Sequence, residues 1–466
     1  MMRKILSTFA ITVLAVTLLS SCLNSADEDS LSYDDTAITS FSVGKLNLYL
    51  HTTSSTGADS VYQKTVEGKN QRFYIDQIAG VIYNPDSLPY GTDAAHVLVF
   101  IGTKNGGGIA LKSLTSDSLS YFSDKDSIDF TSPRVFRVFS YSQQAQRDYT
   151  VHVNVHKEIG SAFNWKKVGE STAFAQFQGM KAVACNGKMY LFGRNGSHTE
   201  IYASENGTDW TGTNTLMEAD AYKSVVVKGD ALFVFDNGNV RKMDGSSWTD
   251  ISSPQNVKQL VGSSEKALYA VGKNREVLMS ADDGITWTEE TVADNAAMLP
   301  VQDFSLVAMP LKTNPELSRL TLLGNRNAGA TSQDSTATVW FKIEEGSTAG
   351  EWSHIPFADG NRYPMPYLKG TTAVAYGDDI LAMGGGGQGT DASASFSTAY
   401  TSKDGGITWK PAPTYNVPKE LSSNGIFALM KDKNNYLWLI CGGTGQIWRG
   451  RLNSLGWAAE QKTFTE

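Results

Sequence analysis

Cysteine is nearly absent: three residues in 466 leave no room for a disulfide scaffold or a structural zinc cluster. Proline is also sparse, at 13 residues, and charged residues make up only 19%. Basic residues are outnumbered 40 to 48, and a net charge of −8 argues against a groove that neutralises nucleic-acid phosphates. Beyond the first twenty residues no stretch approaches the ~18 apolar residues of a membrane-spanning helix. No segment carries the amphipathic 3.6-residue period of a helical solenoid. What the chain has is glycine and aromatics: 43 Gly, 20 Phe, 19 Tyr and 10 Trp, the composition of many short strands joined by tight turns. With 41% hydrophobic residues it can bury cores, and its length suggests roughly two to four domains.

Arg3 and Lys4 precede an uncharged, mostly apolar run from Ile5 to Leu19, followed by Ser20, Ser21 and Cys22. A basic start, a short apolar core and small residues at its end make a secretory leader over 1–21. Leu19-Ser20-Ser21-Cys22 resembles the bacterial lipobox, which implies that Cys22 becomes the acylated first residue of the mature chain. Several acyl chains anchor a protein stably where one is marginal, so membrane contact is expected through the lipid alone. Asp27, Glu28 and Asp29 make 22–32 an acidic tether similar to that of Bacteroidetes-type lipoproteins carried to the outer leaflet. The expected address is the outer membrane at the cell surface, with its periplasmic face as the alternative. Loss of the leader removes two of the 40 basic residues and leaves 38 against 48, a charge of −10. Cys185 and Cys441 sit in apolar strand patterns as small buried hydrophobes; whether they pair stays open, since pairing needs the first and last repeats to be neighbours.

From Trp165 onward one phrase recurs: a small polar turn, an apolar strand, a Gly/Asn-rich loop, a second strand, and a turn ending in Trp. Asn186 to Trp210 shows it in full, and Leu268 to Trp287 and Ile380 to Trp409 repeat it. The closing residues Trp165, Trp210, Trp248, Trp287, Trp352, Trp409 and Trp457 are spaced 45, 38, 39, 65, 57 and 48 apart. That brackets the roughly 40–50-residue period of propeller blades, whose four-stranded sheets cannot cover both faces alone and so stack around an axis. The expected fold class is all-β, with a six-bladed β-propeller over 158–466. Seven blades are the alternative if the segments around Trp165 and Trp457 do not complete one ring.

The turns Ser280 to Trp287 and Ser402 to Trp409 resemble the Asp box, S-x-D-x-G-x-T-W, of BNR-repeat propellers such as sialidases and sorting receptors. Two degraded copies, Ser204 to Trp210 and Met243 to Trp248, accompany them. The resemblance implies structural roles for Ser280, Asp282, Gly284 and Trp287, and for Ser402, Asp404, Gly406 and Trp409, in third-to-fourth-strand turns. Such turns lie at the end of a ring opposite the loops that line its pocket.

Residues 33–157 lack the period and read as a β-sandwich, with strands at Ile38 to Val43, Val97 to Ile101, Val135 to Ser140 and Tyr149 to His156. The phrases DFTSPRVFRVFS and YTVHVNVH resemble Ig-like modules that precede larger domains in Bacteroidetes-type surface lipoproteins. His152 and His156 would stand about 13 Å apart on a strand, too far for one ion, and no metal or cofactor is expected.

Catalysis has a weaker basis than binding. A sialidase-like glycoside hydrolase needs three converging Arg, a Tyr–Glu pair and an Asp; the ring contains Arg194, Arg241, Arg275, Arg326, Arg362, Arg449 and Arg451, but the family's Arg-Ile-Pro phrase is missing. Other glycosidases need two facing carboxylates, for which Glu218, Asp220, Asp391 and Glu420 are candidates. A copper oxidase on a kelch-like ring would need clustered His, and only His198 and His354 are present there. Second-to-third-strand loops offer Arg194, Asn195, His198, Asn237, Lys273, Arg275, Asn325, Arg326, Gln388, Asp391 and Gln446; blade-to-blade loops add Tyr222, Arg362, Tyr363, Tyr367 and Tyr415. Aromatic faces beside amide and guanidinium donors suit a glycan or a protein partner. A scaffold role in a surface complex is the second expectation, and no nucleic-acid partner is expected.

Overall fold

The computed structural model describes residues 33–458 apart from 55, 246, 327–335, 347–349, 357–359 and 386–397. Cys22, Gln388 and Asp391 therefore lie outside the described residues. The chain is all-β; its described helices are short turns, among them the four-residue Thr172–Ala175. Contacts divide it into two compact units, one reaching Ile159 and the other spanning Gly160–Trp457.

Among its described residues the N-terminal unit holds three sheets. Ile38–Val43 pairs with Val99–Thr103, and Lys45–Thr53 forms a hairpin with Asp59–Glu67. A six-stranded sheet runs in the order Tyr74–Asp76, Val81–Tyr83, Gln146–His152, Arg134–Phe139, Ile109–Lys112, Leu119–Tyr121, with one parallel pair between Val81–Tyr83 and Gln146–His152. Their inward residues, including Ile38, Val43, Ile82, Val99, Phe136, Tyr149 and Val151, share one core. The last strand stops at His152, so His156 is not on it as the pattern predicted; it lies 3.7 Å from Asp86 instead.

The second unit holds six sheets among its described residues. Their innermost strands are Met180–Cys185, Val226–Lys228, Val257–Ser263, Gln302–Pro310, Lys369–Tyr376 and Phe427–Lys431. Each abuts the next in that order, and the sixth abuts the first, so the sheets run around an axis. Second strands are covered on both faces and read as unbroken apolar runs for that reason: Leu268–Gly272 and Leu437–Cys441 are buried throughout. Fourth strands such as Thr211–Glu218 are largely exposed and polar. The ring is clasped by its own ends: Phe163–Glu170, which precedes the first sheet, pairs with Gln446–Leu452 as the outer strand of the last. Trp165 thus belongs to the last sheet rather than to a unit of its own.

Both Asp-box turns have the same internal bonding. Asp404 accepts from Ser402 Oγ at 2.9 Å, from the Thr408 backbone N–H at 2.9 Å and from Thr408 Oγ1 at 2.7 Å. Trp409 Nε1 donates to Gly406 O, and Asp282 repeats the pattern with Ser280 and Thr286. Gly406 has φ +100°, and a side chain there would strike Thr321 of the preceding sheet. Burial pushes the Asp404 carboxyl up, but the Thr408 and Ser402 hydrogen bonds outweigh it and hold it below the ordinary carboxylate value.

The fourth sheet lacks an Asp box and has a buried ion pair instead. Lys342 Nζ donates to both oxygens of Glu290 at 2.6 and 2.9 Å, across the seam from the third sheet. Trp352 Nε1 and the Gly350 N–H donate to the same carboxylate, and Tyr269 donates to Glu344 at 2.6 Å. Removing one member of such a pair leaves the other charge uncompensated in a dry interface.

Lys342→Met should therefore lower unfolding stability by about 3–5 kcal/mol in urea titration, and adding Glu290→Gln should recover part of the loss. Asp404→Ala should cost about 1–2 kcal/mol at pH 7 through its lost hydrogen bonds. Because the folded pKa is lowered, that stabilisation is present above the unfolded value of about 3.9 and disappears as pH falls through the folded one; the two unfolding curves should converge in acid.

Candidate functional site

The innermost strands all begin at one end of the ring. The register sets this end: Met180 pairs with Gly193 at the start of the first sheet, while Cys185 pairs with Lys188 at the far end. The second-to-third-strand turns, such as Asn195 to His198, and the outer-to-inner connections, such as Glu218 to Ser224, share the starting end. The Asp-box turns lie at the other, because Ser280 and Ser402 pair with the opposite ends of their neighbouring strands. At the starting end a cavity of about 610 Å³ is lined by residues from all six sheets.

Tyr222, Phe235, Phe304 and Phe427 form its apolar wall. Tyr222 packs over Gly179, where any Cβ would come within 2.2 Å of its hydroxyl oxygen, and burial pushes the phenol up to about 12. Lys181, Lys223, Lys258 and Lys369 contribute cations to the lining; Glu218, Asp220 and Asp303 contribute carboxylates. Asp220 is engaged by Arg194 at 3.3 Å and Lys223 at 3.1 Å, and Asp303 accepts from Asn325 Nδ2 at 2.8 Å. Burial lowers the Lys181 ammonium to about 8.

Of the residues picked out as ligand contacts, Asn237 and Tyr222 lie on the cavity wall, and Arg194 reaches it through Asp220. Asn195 donates to Glu200, and His198 lies 3.3 Å from Ser197 Oγ. Arg275 donates to the Ala297 and Leu299 carbonyls; Lys273 and Arg362 are outside the cavity lining. Asn325 is fully buried, and its second amide hydrogen goes to Leu368 O. Arg326 lines a separate cavity of about 370 Å³, and Tyr363 lies under Lys410. Tyr367 is buried with its hydroxyl 3.1 Å from Gln302 Nε2, while Tyr415 packs edge-on against Phe163 and Tyr376. Gln446 accepts from the Ser422 N–H and from Trp448 Nε1. The loop assignments missed Lys181, Lys258 and Lys369. A charge at the first or second residue of an otherwise apolar innermost strand, as in Met180-Lys181-Ala182-Val183, was the available signal.

Arg241 is held by Asp236 and Asp250, and Arg449 and Arg451 lie over Tyr436. Arg194, Arg241 and Arg275 are thus engaged in three different sheets, while Arg449 and Arg451 share the Tyr436 ring in the last. Among the described residues no group of three or more His, Cys, Asp or Glu could hold a metal ion, and Cys185 and Cys441 are free thiols, both buried.

Two family profiles match: the DUF6242 beta propeller domain over residues 160–460, and the domain of unknown function (DUF6242) N-terminal domain over residues 41–153. The chain belongs to the DUF6242 family. Its second unit is a β-propeller. No curated protein matches this DUF6242 chain in sequence. Similar solved structures include YCF48 bound to D1 peptide, at 13% identity, covering 62% of this chain and 95% of that one with a TM-score of 0.37. A Bacteroides thetaiotaomicron auxiliary nutrient binding protein is similar at 7% identity, 76% and 93% coverage and a TM-score of 0.39. A structural genomics protein of unknown function from the same organism is similar at 11% identity, 82% and 98% coverage and a TM-score of 0.30. Likenesses this distant do not extend to function.

Lys181 should titrate near pH 8 in lysine-selective NMR, well below the ~10.4 of a free side chain. With the folded pKa depressed, the charged form costs stability below that range and the cost is relieved as pH rises through it. Lys181→Met should therefore raise the melting temperature at pH 7 and lose that advantage by pH 10.

Proposed function

We propose that this DUF6242 protein is a lipid-anchored envelope protein whose six-bladed ring binds a glycan or a protein partner at its mouth, without turning it over. The cavity at the start of the innermost strands carries the reading. Its volume falls in the range of small-ligand sites, and it combines aromatic faces with polar side chains from the first five sheets. None of the arginines that a sialidase-like reading would need lines this cavity, which favours binding over that alternative. In this proposal Cys22 carries the acyl chains, the N-terminal unit is an Ig-like sandwich, and the protein stands on the outer face of the outer membrane.

A glycan array and an envelope pull-down with the full chain test the site. Tyr222→Ala should weaken the captured ligand at least about tenfold while leaving the melting temperature within a few degrees; unchanged binding would place the ligand elsewhere. Metabolic labelling with a fatty acid tests the anchor: label should be lost in Cys22→Ala, and label retained in that variant would refute it.

A further inference from the structure

Three lysines at the mouth come from alternate sheets. Lys181 is the second residue of the first sheet's innermost strand, Lys258 the second of the third's, and Lys369 the first of the fifth's. Coming from alternate sheets of the ring, the three lysines line one cavity from different sides. Within the described residues no hydrogen bond or ion pair reaches any of the three ammonium groups. Of the neighbouring carboxylates, Asp220 is already paired with Arg194 and Lys223, while Asp303 keeps its charge and accepts a hydrogen bond from the neutral Asn325 amide, so the lining holds four lysines against three carboxylates. Glu218 is exposed and carries the remaining lining carboxylate. Lys181 is half-buried, so its ammonium has lost water without gaining a counter-ion. In a chain of net charge −8 this arrangement is locally cationic, and a concave, partly apolar wall focuses such a potential.

The rest of the wall selects among anions. The half-buried rings of Tyr222, Phe235 and Phe304 offer stacking faces, and the Gln178 and Asn237 amides are exposed donors and acceptors for hydroxyls. A cavity of about 610 Å³ holds one to three sugar rings, whereas an extended acidic peptide needs a groove that leads out of the site. We infer that the mouth takes an acidic saccharide, its carboxylate or sulfate held by Lys181, Lys258 and Lys369 and its ring against Tyr222 and Phe304. The inference rests on the ring-mouth binding site proposed above and names its ligand class.

Calorimetry with the full chain tests it, using a galacturonic acid disaccharide, a sulfated heparin disaccharide, a neutral galactose disaccharide and a tetraglutamate peptide. At least one acidic disaccharide should bind at least about tenfold tighter than the neutral one, and its affinity should fall as salt rises. Lys181→Gln should reduce that affinity about tenfold or more, and the exposed Lys258→Gln and Lys369→Gln several-fold each, with unchanged melting curves for the exposed pair. Which acidic sugar binds separates a carboxylate from a sulfate ligand. Equal affinity for the neutral sugar, unmoved by the lysine substitutions, overturns the anion assignment and leaves the mouth site standing. Tighter binding of tetraglutamate overturns the saccharide assignment, and no binding of either acidic sugar at millimolar concentration overturns the inference as a whole. The mouth site itself falls on a different result, array or pull-down binding that survives Tyr222→Ala.

Discussion

Every sheet of the second unit has two apolar faces, and no sheet can cover both without a neighbour on each side. That requirement makes closure of the ring the condition for everything else. It is met by pairing Phe163–Glu170 with Gln446–Leu452, strands from the two ends of the unit. Each hairpin pairs near neighbours in sequence, whereas the last sheet is completed only by a strand from the start of the unit. Trp340, Trp352, Trp409 and Trp438, all essentially without exposure, fill those seams.

Individual seams are built in different ways. Where the Asp box is present, a carboxylate satisfies its own turn and delivers a tryptophan to the interface, as Asp404 does for Trp409. Between the third and fourth sheets the same work falls to a buried lysine and glutamate, with Trp352 donating to the Glu290 carboxylate. Both devices keep polar groups bonded where water is excluded. Both also sit away from the cavity, so the groups that hold the ring together are not the groups that line it. Antiparallel connectivity enforces the separation, because consecutive turns alternate between the two ends of a sheet.

The cavity carries the opposite chemistry. Among the described residues Lys181, Lys258 and Lys369 have no ion-pair partner in a chain that has carboxylates to spare, while Asp220 at the same mouth is paired with Arg194 and Lys223. A protein core removes such imbalances and a binding site retains them, since the missing partner arrives with the ligand.

Strand content, the recurring Trp-ended phrase and the end of the ring to which the Asp-box turns belong were readable from residue order, because hydrogen-bonded turns and side-chain alternation depend only on nearby neighbours. Tyr222, Glu218 and Asp220 could be placed near the mouth on the same grounds, as residues of an outer-to-inner connection. The place of Lys181, Lys258 and Lys369 on one cavity wall could not, and neither could the enclosure of Asn325 or the packing of Tyr415 among Phe163 and Tyr376. Each of those depends on which segments, hundreds of residues apart, meet when the ring closes. Local patterning thus sufficed for the architecture, and only closure assembled the cavity, since burial and charge at one wall are properties of the neighbours and not of the residue.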